Sequence, residues 1–270
     1  MADLTAVIDL HLHAGPDVRE RKMSAVALAR KAQAAGMRGV LFKNHHTSTV
    51  LAAAAVREQF PGFEAWGGLA LNEWSGGLNV QAVEATLKMG AREIWLPTLS
   101  AENERARRGH PGTGIAVVGD SGRLKPEVEE IIRLVGEAGV MLGTGHLSPC
   151  EIAAVVRSAK SVRLRKIVIT HPEIFFIGLP LTLQKDLAGP GVYFERCYFR
   201  EIFTRDYGQL SASIREIGVE STVLATDLGQ PDNPDPVDGM AQMLDEYAKR
   251  GFSAAELERM SVHNPATLLD

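Results

Sequence analysis

The feature that most constrains the fold is a repeated order of segments along the chain. A short apolar stretch is followed by polar residues, an amphipathic stretch with helical periodicity, and a turn that usually contains glycine. The apolar stretches that we predict as strands are residues 7–13, 39–46, 63–70, 93–97, 140–146, 166–171, 191–196 and 221–227. Eight strands alternating with helices in 270 residues predict an α/β protein, a (β/α)8 TIM barrel in one domain over residues 1–270. A doubly wound open sheet has the same alternation and is the alternative.

Local signals mark where several helices begin. Ser24 is a suitable N-cap for a helix that continues to about residue 35. Ser148 with Glu151, and Ser253 with Glu256, have the spacing of capping boxes. These signals support the boundaries of the repeated unit.

The composition argues against several classes of partner. Hydrophobic residues make up 45% and charged residues 23% of the chain, as is ordinary for a soluble globular protein. The formal net charge of -4 gives no electrostatic reason to expect nucleic acid or a membrane surface as a partner, and no apolar run is long enough to span a bilayer. The first residues lack a signal-peptide pattern, and Cys150 and Cys197 are too few for a disulfide framework. We therefore expect a cytoplasmic protein that acts on a small molecule, and a homo-oligomer, as barrels often are.

The first predicted strand ends in two histidines one residue apart. Because side chains alternate across a strand, Asp9, His11 and His13 are predicted to share one face. The apolar residues are predicted on the opposite face, against the helices: Ile8, Leu10 and Leu12. Two imidazoles from alternate strand positions can ligate one divalent cation. Hydrogen-bonded polar groups at a barrel mouth are the alternative.

The same residue types recur at the ends of later strands. Six of the eight histidines and one aspartate occupy predicted C-terminal strand ends: His11, His13, His45, His46, His146, His171 and Asp227. In a barrel these ends converge on the face that carries active sites. Each residue alone could equally be a helix cap or a loop donor, but together they predict a metal site.

This pattern resembles the amidohydrolase superfamily. The resemblance rests on the His-x-His pair of the first strand and on His146, His171 and Asp227 at the ends of the fifth, sixth and eighth strands. The terminal sequence His263-Asn264-Pro265-Ala266 also resembles the start of that superfamily's last helix. The resemblance covers essentially the whole chain.

The resemblance implies a ligand set and a reaction. His11, His13 and Asp227 would hold one metal ion, and His146 and His171 would hold a second. Asp227 would also take a proton from metal-bound water, in the hydrolysis of a C–N, C–O or P–O bond of a small molecule. We therefore expect one or two divalent ions, with zinc as the first candidate and manganese, iron, cobalt or nickel as the others.

One feature of the superfamily is missing. Many two-metal members carry a carboxylated lysine or a glutamate that bridges the cations from the fourth strand, and residues 94–98 contain neither. Either one metal binds, or another residue bridges. Lys43 is the candidate for both a bridging and a catalytic role, because a lysine buried after three apolar residues is readily neutral, and a neutral amine reacts with carbon dioxide to form a carbamate. The alternative is that Lys43 pairs with a carboxylate such as Asp9 or Glu195.

Four further residues are candidates for substrate binding. His45 has the strand parity of Lys43, so His45 or His46 is expected to contact substrate or to orient a metal ligand. Glu195 and Arg196 end the seventh strand, and Arg196 would hold a substrate carboxylate through two hydrogen bonds, unless it pairs at the surface. The long segment 100–123, with a hairpin predicted at 114–124, is either a lid or a solvated surface. Its active-site end carries Arg105, Arg107, Arg108 and His110.

Three functional hypotheses follow. The first is a metal-dependent hydrolase that uses activated water on an amide, lactone or ester-like bond. The second is a mononuclear deaminase or non-oxidative decarboxylase, in which His171 acts as acid or electrophile. A phosphoesterase is disfavoured, because a phosphate substrate would favour a stronger phosphate-binding motif than the sequence contains. The third is a barrel that binds a metal or ligand without turnover. Metal counting together with a hydrolysis screen distinguishes them.

Overall fold

The computed structural model of the protein describes residues 2–198 and 206–270. Its eight strands are parallel and pair in sequence order from β1 to β8. The strands are Ile8–Leu12 (β1), Gly39–Phe42 (β2), Glu64–Ala70 (β3), Glu93–Trp95 (β4), Met141–Gly143 (β5), Ile167–Ile169 (β6), Val192–Arg196 (β7) and Thr222–Leu224 (β8). A parallel bridge between Leu12 and Leu228 brings the end of the sheet back to β1. The predicted (β/α)8 barrel is therefore confirmed, and the open sheet is excluded because its strand order is different.

Helices surround the barrel. Within the described residues they are Ala25–Ala34 (α1), Val50–Gln59 (α2), Val80–Lys88 (α3), Glu102–Arg107 (α4), Pro126–Ala138 (α5), Pro149–Ser161 (α6), Leu181–Leu187 (α7), Tyr207–Ile217 (α8), Pro236–Lys249 (α9), Ala254–Glu258 (α10) and Asn264–Leu269 (α11). Ser24 caps α1, and the two predicted capping boxes start α6 and α10. None of these helices combines the length and apolar character that a bilayer span requires.

The interior of the barrel is filled by one apolar cluster. It takes side chains from all eight strands: Ile8, Leu10, Leu41, Trp66, Ala70, Trp95, Met141, Val168, Tyr193 and Val223. Gly143 makes room for this packing, since a Cβ at that position would lie 2.4 Å from Cδ1 of Trp95. Helix α11 closes the lower end, where Asn264 donates to the carbonyl oxygens of Val219 and Thr222 at the start of β8.

The side-chain alternation predicted for β1 is wrong. Ile8 and Leu10 belong to the cluster inside the barrel, whereas Leu12 packs in the layer between strands and helices. The reason is a bulge, because the pairing of β1 with β2 shifts register between Asp9 and Leu12. An extra residue in a strand reverses the facing of the residues that follow it. Both histidines of β1 nevertheless reach the same site.

Closure of the barrel joins the two ends of the chain. The backbone N–H of Asp227 donates to the carbonyl of His11 at 2.7 Å. The backbone N–H of His13 donates to the carbonyl of Leu228, also at 2.7 Å. The buried carboxylate of Asp9 accepts from the backbone N–H and the hydroxyl of Thr226, at 3.0 and 2.6 Å. Asp9 therefore ties β1 to the end of β8, and this seam fixes three of the predicted metal ligands relative to one another.

The long segment after β4 folds over one side of the barrel mouth. The predicted hairpin is confirmed by an antiparallel bridge between Val118 and Leu124. Helix α4, in contrast, was not predicted from the sequence. It brings Glu104 and Arg108 to the mouth of the barrel, and both line the cavity described below.

Candidate metal centre

His11 lies in β1, and the other predicted ligands lie in the turns that follow the strands. The strands end one to three residues before Lys43, His146, His171 and Asp227. The φ angles of His171 and Asp227 are 26° and 51°, a region that residues other than glycine rarely adopt. The surrounding structure therefore holds two predicted ligands in a costly backbone conformation, which is common at functional sites.

The first group of ligands meets at the closing seam. Oδ1 of Asp227 lies 3.0 Å from Nε2 of His11 and 3.1 Å from Nε2 of His13. The three ligand atoms lie within 4.8 Å of one another, as one cation requires. The Asp227 side chain is 27% exposed, so its carboxylate also faces the open side of the site.

The second group lies beside the first. The rings of His146 and His171 are 4.9 Å apart, and the ring of His11 is 5.8 Å from that of His171. Nδ1 of His171 is buried and has no hydrogen-bond partner in the described part of the chain. An orphaned buried nitrogen costs free energy, and a cation would remove that cost. The imidazole and carboxylate donors of the two groups therefore fit a divalent transition metal.

Two buried carboxylates, those of Glu195 and Glu104, contact the Nδ1 atoms of His11 and His146. Oε2 of Glu195 lies 3.0 Å from Nδ1 of His11, and Oε2 of Glu104 is in close contact with Nδ1 of His146. Each contact leaves Nε2 for a cation, which is the usual carboxylate–histidine–metal arrangement. Glu104 was missed by the sequence analysis because it lies on the unexpected α4. The Glu104–Arg108 spacing of four residues was a signal that could have revealed this helix.

Lys43 lies against the first group. Its side chain is buried, and Nζ is 3.0 Å from Nε2 of His11 and 5.3 Å from the centre of the Trp95 ring. No carboxylate oxygen of the described residues lies within ion-pair distance of Nζ, so the expected alternative partners Asp9 and Glu195 do not pair with it. Among the residues that the structure describes, Nζ therefore contacts an atom that is also a predicted metal ligand.

Burial sets the charge of most of these histidines. It lowers the pKa of His13 to about 3 and also lowers the pKa of His146 and of His171. Burial and Lys43 also disfavour charge on His11, but the carboxylates of Asp227 and Glu195 raise its pKa to about 9. Neutral imidazoles are the form that ligates a metal.

The acid on β4 lies too deep to bridge a metal. Glu93 is buried inside the barrel, and its Oε1 has no hydrogen-bond partner among the described residues. Burial first, and the charge of Glu195 second, raise the pKa of Glu93 well above its ordinary value. The folded protein therefore binds a proton at Glu93 that the unfolded chain releases above pH 4.5.

We expect Glu93→Gln to stabilise the protein increasingly as pH rises above about 4.5. The folded state binds the proton of Glu93 more tightly than the unfolded chain does. The stability that this proton gives the wild type is fully present below the unfolded pKa, and it is lost as pH rises from the unfolded pKa towards the folded pKa. The difference in unfolding free energy between variant and wild type should therefore grow by up to about 1.4 kcal/mol per pH unit. Urea unfolding at about pH 5 and 7 measures it. The exposed Glu58→Gln is the control, and a difference that does not change with pH would contradict the prediction.

A cavity of about 340 Å³ opens above the two groups of ligands. Its walls include His13, His45, Glu104, Arg108, His146, His171, Phe176, Cys197, Tyr198, Asp227 and Gln230. The ring of His45 stacks on that of His13 at 4.9 Å, and its Nδ1 is hydrogen-bonded to Thr98 Oγ1 at 2.9 Å. His45 is therefore placed between a ligand and the open cavity, where a substrate would lie.

Three of the residues predicted to bind substrate do not line this cavity. His46 is hydrogen-bonded to Asp17 at 3.1 Å and packs against Trp74. Glu195 holds His11, as described above, instead of facing a substrate. Arg196 is fully buried and pairs with Glu173 and Gln184 behind β7. Neighbouring strand residues point to opposite faces, so with Glu195 inside the barrel Arg196 has to face the helices. The predicted substrate roles of these three residues are therefore corrected.

Comparison with sequence families and curated proteins gives one match. Residues 6–195 match the sequence profile of DUF6282, described as a family of unknown function. No curated protein matches significantly. The matched range spans β1 to β7 and contains every predicted ligand except Asp227.

Solved structures share the fold at low sequence identity. An amidohydrolase from Pseudomonas aeruginosa has a TM-score of 0.70 at 12% identity, over 98% of this chain and 95% of that one. An organophosphorus hydrolase from Deinococcus radiodurans has a TM-score of 0.62 at 16% identity, over 100% and 94%. A mutant PTE-like lactonase from the same organism has a TM-score of 0.61 at 16% identity, over 100% and 98%. This chain thus shares its (β/α)8 barrel fold with an amidohydrolase, an organophosphorus hydrolase and a lactonase.

Proposed function

The chain belongs to DUF6282, a family of unknown function, and from its site we propose that it is a metal-dependent hydrolase of the amidohydrolase type. It would cleave a C–N or C–O bond, as in an amide, lactone or ester-like small molecule. The observation that carries the proposal is the convergence of His11, His13 and Asp227 within 4.8 Å, beside His146 and His171 under one cavity. The names of the structural neighbours, a lactonase, an organophosphorus hydrolase and an amidohydrolase, support the same class.

The metal would be held by two sets of residues from this chain. His11, His13 and Asp227 would bind one divalent ion, and His146 and His171 a second, with zinc as the first candidate. When bound, such an ion polarises the oxygen of the scissile bond and lowers the pKa of water. Glu195 and Glu104 orient the rings of the two sets, as their contacts with Nδ1 of His11 and His146 indicate.

Asp227 is the proposed general base. Its carboxylate lines the cavity and is partly open to it. Burial disfavours the charge, but His11 and the hydrogen bond from His13 lower the pKa of Asp227 well below its ordinary value. The group is therefore ionised at neutral pH and can take a proton from the attacking water and deliver it to the leaving group.

Lys43 is the proposed bridging ligand, as a carbamate. The neutral amine and carbon dioxide would form a C–N bond, with one proton released to solvent. The 3.0 Å contact between Nζ and Nε2 of His11 supports this proposal, since it places the amine beside an atom that would ligate the metal. The carbamate would turn that amine into an anionic ligand with two oxygens.

The test of the function is a metal count combined with a hydrolysis screen. Protein reconstituted with zinc should contain close to two ions per chain and hydrolyse at least one amide, lactone or ester in a small-molecule panel. Activity should disappear on chelation and return with metal. One ion per chain with deamination or decarboxylation would favour the mononuclear alternative, and tight metal binding without any turnover would favour the non-catalytic barrel. A small-molecule substrate, a cytoplasmic location and a homo-oligomer stay predictions.

A further inference from the structure

The wall of the cavity formed by α4 carries a guanidinium group in a fixed position. Nε of Arg108 donates to Oε1 of Glu104 at 2.6 Å. The guanidinium carbon lies 5.6 Å from the centre of the Phe176 ring and 5.8 Å from that of Phe175. Nη1 and Nη2 of Arg108 have no hydrogen-bond acceptor among the described residues. Arg108 is thus held through Nε and two aromatic rings. Nη1 and Nη2, the two remaining nitrogens of the guanidinium, are left to donate hydrogen bonds to another partner.

The same carboxylate joins this guanidinium to the metal centre. Glu104 is almost fully buried and uses Oε1 for Arg108 and Oε2 for Nδ1 of His146. A single side chain therefore sets the position of Arg108 relative to a predicted metal ligand. This shared support is what a binding group for a distant part of a substrate requires, because the distance between the two contacts is then constant.

The charge around the cavity also favours a negative ligand. The ionisable side chains of its walls, apart from histidine, cysteine and tyrosine, are Arg19, Arg21, Arg108, Glu20, Glu104 and Asp227. Their formal charges cancel, so each divalent ion at the proposed metal centre would leave the cavity positive. Arg19 lies at the mouth and has no hydrogen bond or ion pair with another described residue.

These observations deepen the proposed function and rest on it. We propose that Arg108 binds an anionic group of the substrate, a carboxylate or a phosphate-type oxyanion, while the scissile bond lies at the metal centre. A guanidinium donates two parallel hydrogen bonds to such a group, which a lysine cannot do. Arg108 thus takes the role that the sequence suggested for Arg196. The substrate class is a small molecule with one negative charge remote from the bond that is cleaved.

Calorimetric titration with three probes of one shape tests this inference without requiring turnover. The probes are 4-phenylbutyrate, 3-phenylpropylphosphonate and the uncharged 4-phenylbutyramide, each titrated into zinc-loaded and metal-free protein. At least one of the two anions should bind more tightly than the amide, and the stronger anion identifies carboxylate or phosphate-type chemistry. Arg108→Gln should raise the Kd of that anion at least about tenfold and leave the Kd of the amide unchanged.

Two further variants separate binding from folding. Arg107→Gln removes the exposed charge of the preceding residue and should leave every Kd unchanged. Arg108→Lys keeps the charge but loses the donor fork, and its Kd for the anion should lie between those of wild type and Arg108→Gln. Zinc content and melting temperature verify that each variant keeps the site.

The inference is overturned if neither anion binds, if the amide binds as tightly as the anions, or if Arg108→Gln binds the anion like wild type. An anion that binds only with zinc and regardless of residue 108 would be a metal ligand, which also contradicts the proposal. Failure of the proposed function would be seen separately, as absence of zinc or of any hydrolysis.

Discussion

Asp227→Asn is expected to lower the rate of metal-dependent hydrolysis by about 10²–10⁴-fold while leaving the protein folded, which is the range that a positioned general base contributes. The amide cannot accept the proton of the attacking water, but its oxygen can still accept the hydrogen bond that His13 gives to Oδ1 in the wild type. Asparagine is also one of the few residues that tolerate the φ of 51° found at this position. The substitution therefore removes the base with little change to the backbone.

The measurement is kcat and KM on the substrate that the screen identifies, with zinc content and thermal unfolding determined on the same preparation. Asp232→Asn is a suitable control, because Asp232 is an exposed residue of the loop that follows β8 and lies outside the cavity lining. The loss should appear mainly in kcat. An Asp227→Asn protein that turns over at the wild-type rate with full metal content would show that the base lies elsewhere.

Lys43→Met is expected to lose one or both metal ions and most of the hydrolytic activity. Methionine fills the buried space of the lysine stem but supplies neither an amine nor a carbamate oxygen. If Lys43 bridges two ions, its removal takes one oxygen from each ion at once. Metal content per chain should therefore fall from close to two to one or none, measured by elemental analysis after equilibration with excess zinc.

The carbamate itself gives an independent signal. Wild-type protein reconstituted with zinc and ¹³C-labelled bicarbonate should show a carbamate carbon resonance that is absent from Lys43→Met and present in the exposed control Lys88→Met. Reconstitution of the wild type in carbon-dioxide-free buffer should also give less bound metal than reconstitution with bicarbonate. A Lys43→Met protein that stays fully loaded and active would exclude the bridging role.

The order of the strands and the positions of the ligands could be predicted from the sequence. The eight strands, the capping boxes and the positions of the ligands near strand ends follow from local chemistry, so short stretches of sequence predicted them. The strands themselves are shorter than predicted, because the apolar pattern continues beyond the last regular ladder hydrogen bonds into the turns that carry His146, His171 and Asp227. The placement of these ligands was therefore more accurate than the boundaries of their strands.

Side-chain direction was less predictable, for reasons that are visible in particular residues. The bulge in β1 places the side chains of Leu10 and Leu12 on opposite faces of the sheet. The local sequence pattern does not indicate the extra residue in the pairing with β2. Glu195 and Arg196 could not both point into the barrel, yet which of them does so depends on the register of β7. The sequence therefore predicted a substrate role for Arg196, whose side chain faces the helices and not the site.

The sequence by itself determined the repeated strand–helix unit and supplied the histidines and Asp227, because hydrophobic periodicity, capping and residue chemistry are local properties. The tertiary structure decided which of these groups meet. Closure of β8 on β1 places Asp227 3.0 Å from His11, although more than two hundred residues separate them along the chain. It also brought Glu104 of α4, and Arg108 at the end of that helix, to the cavity. Contacts between residues distant in sequence depend on how the whole barrel packs, and only the folded chain fixes them.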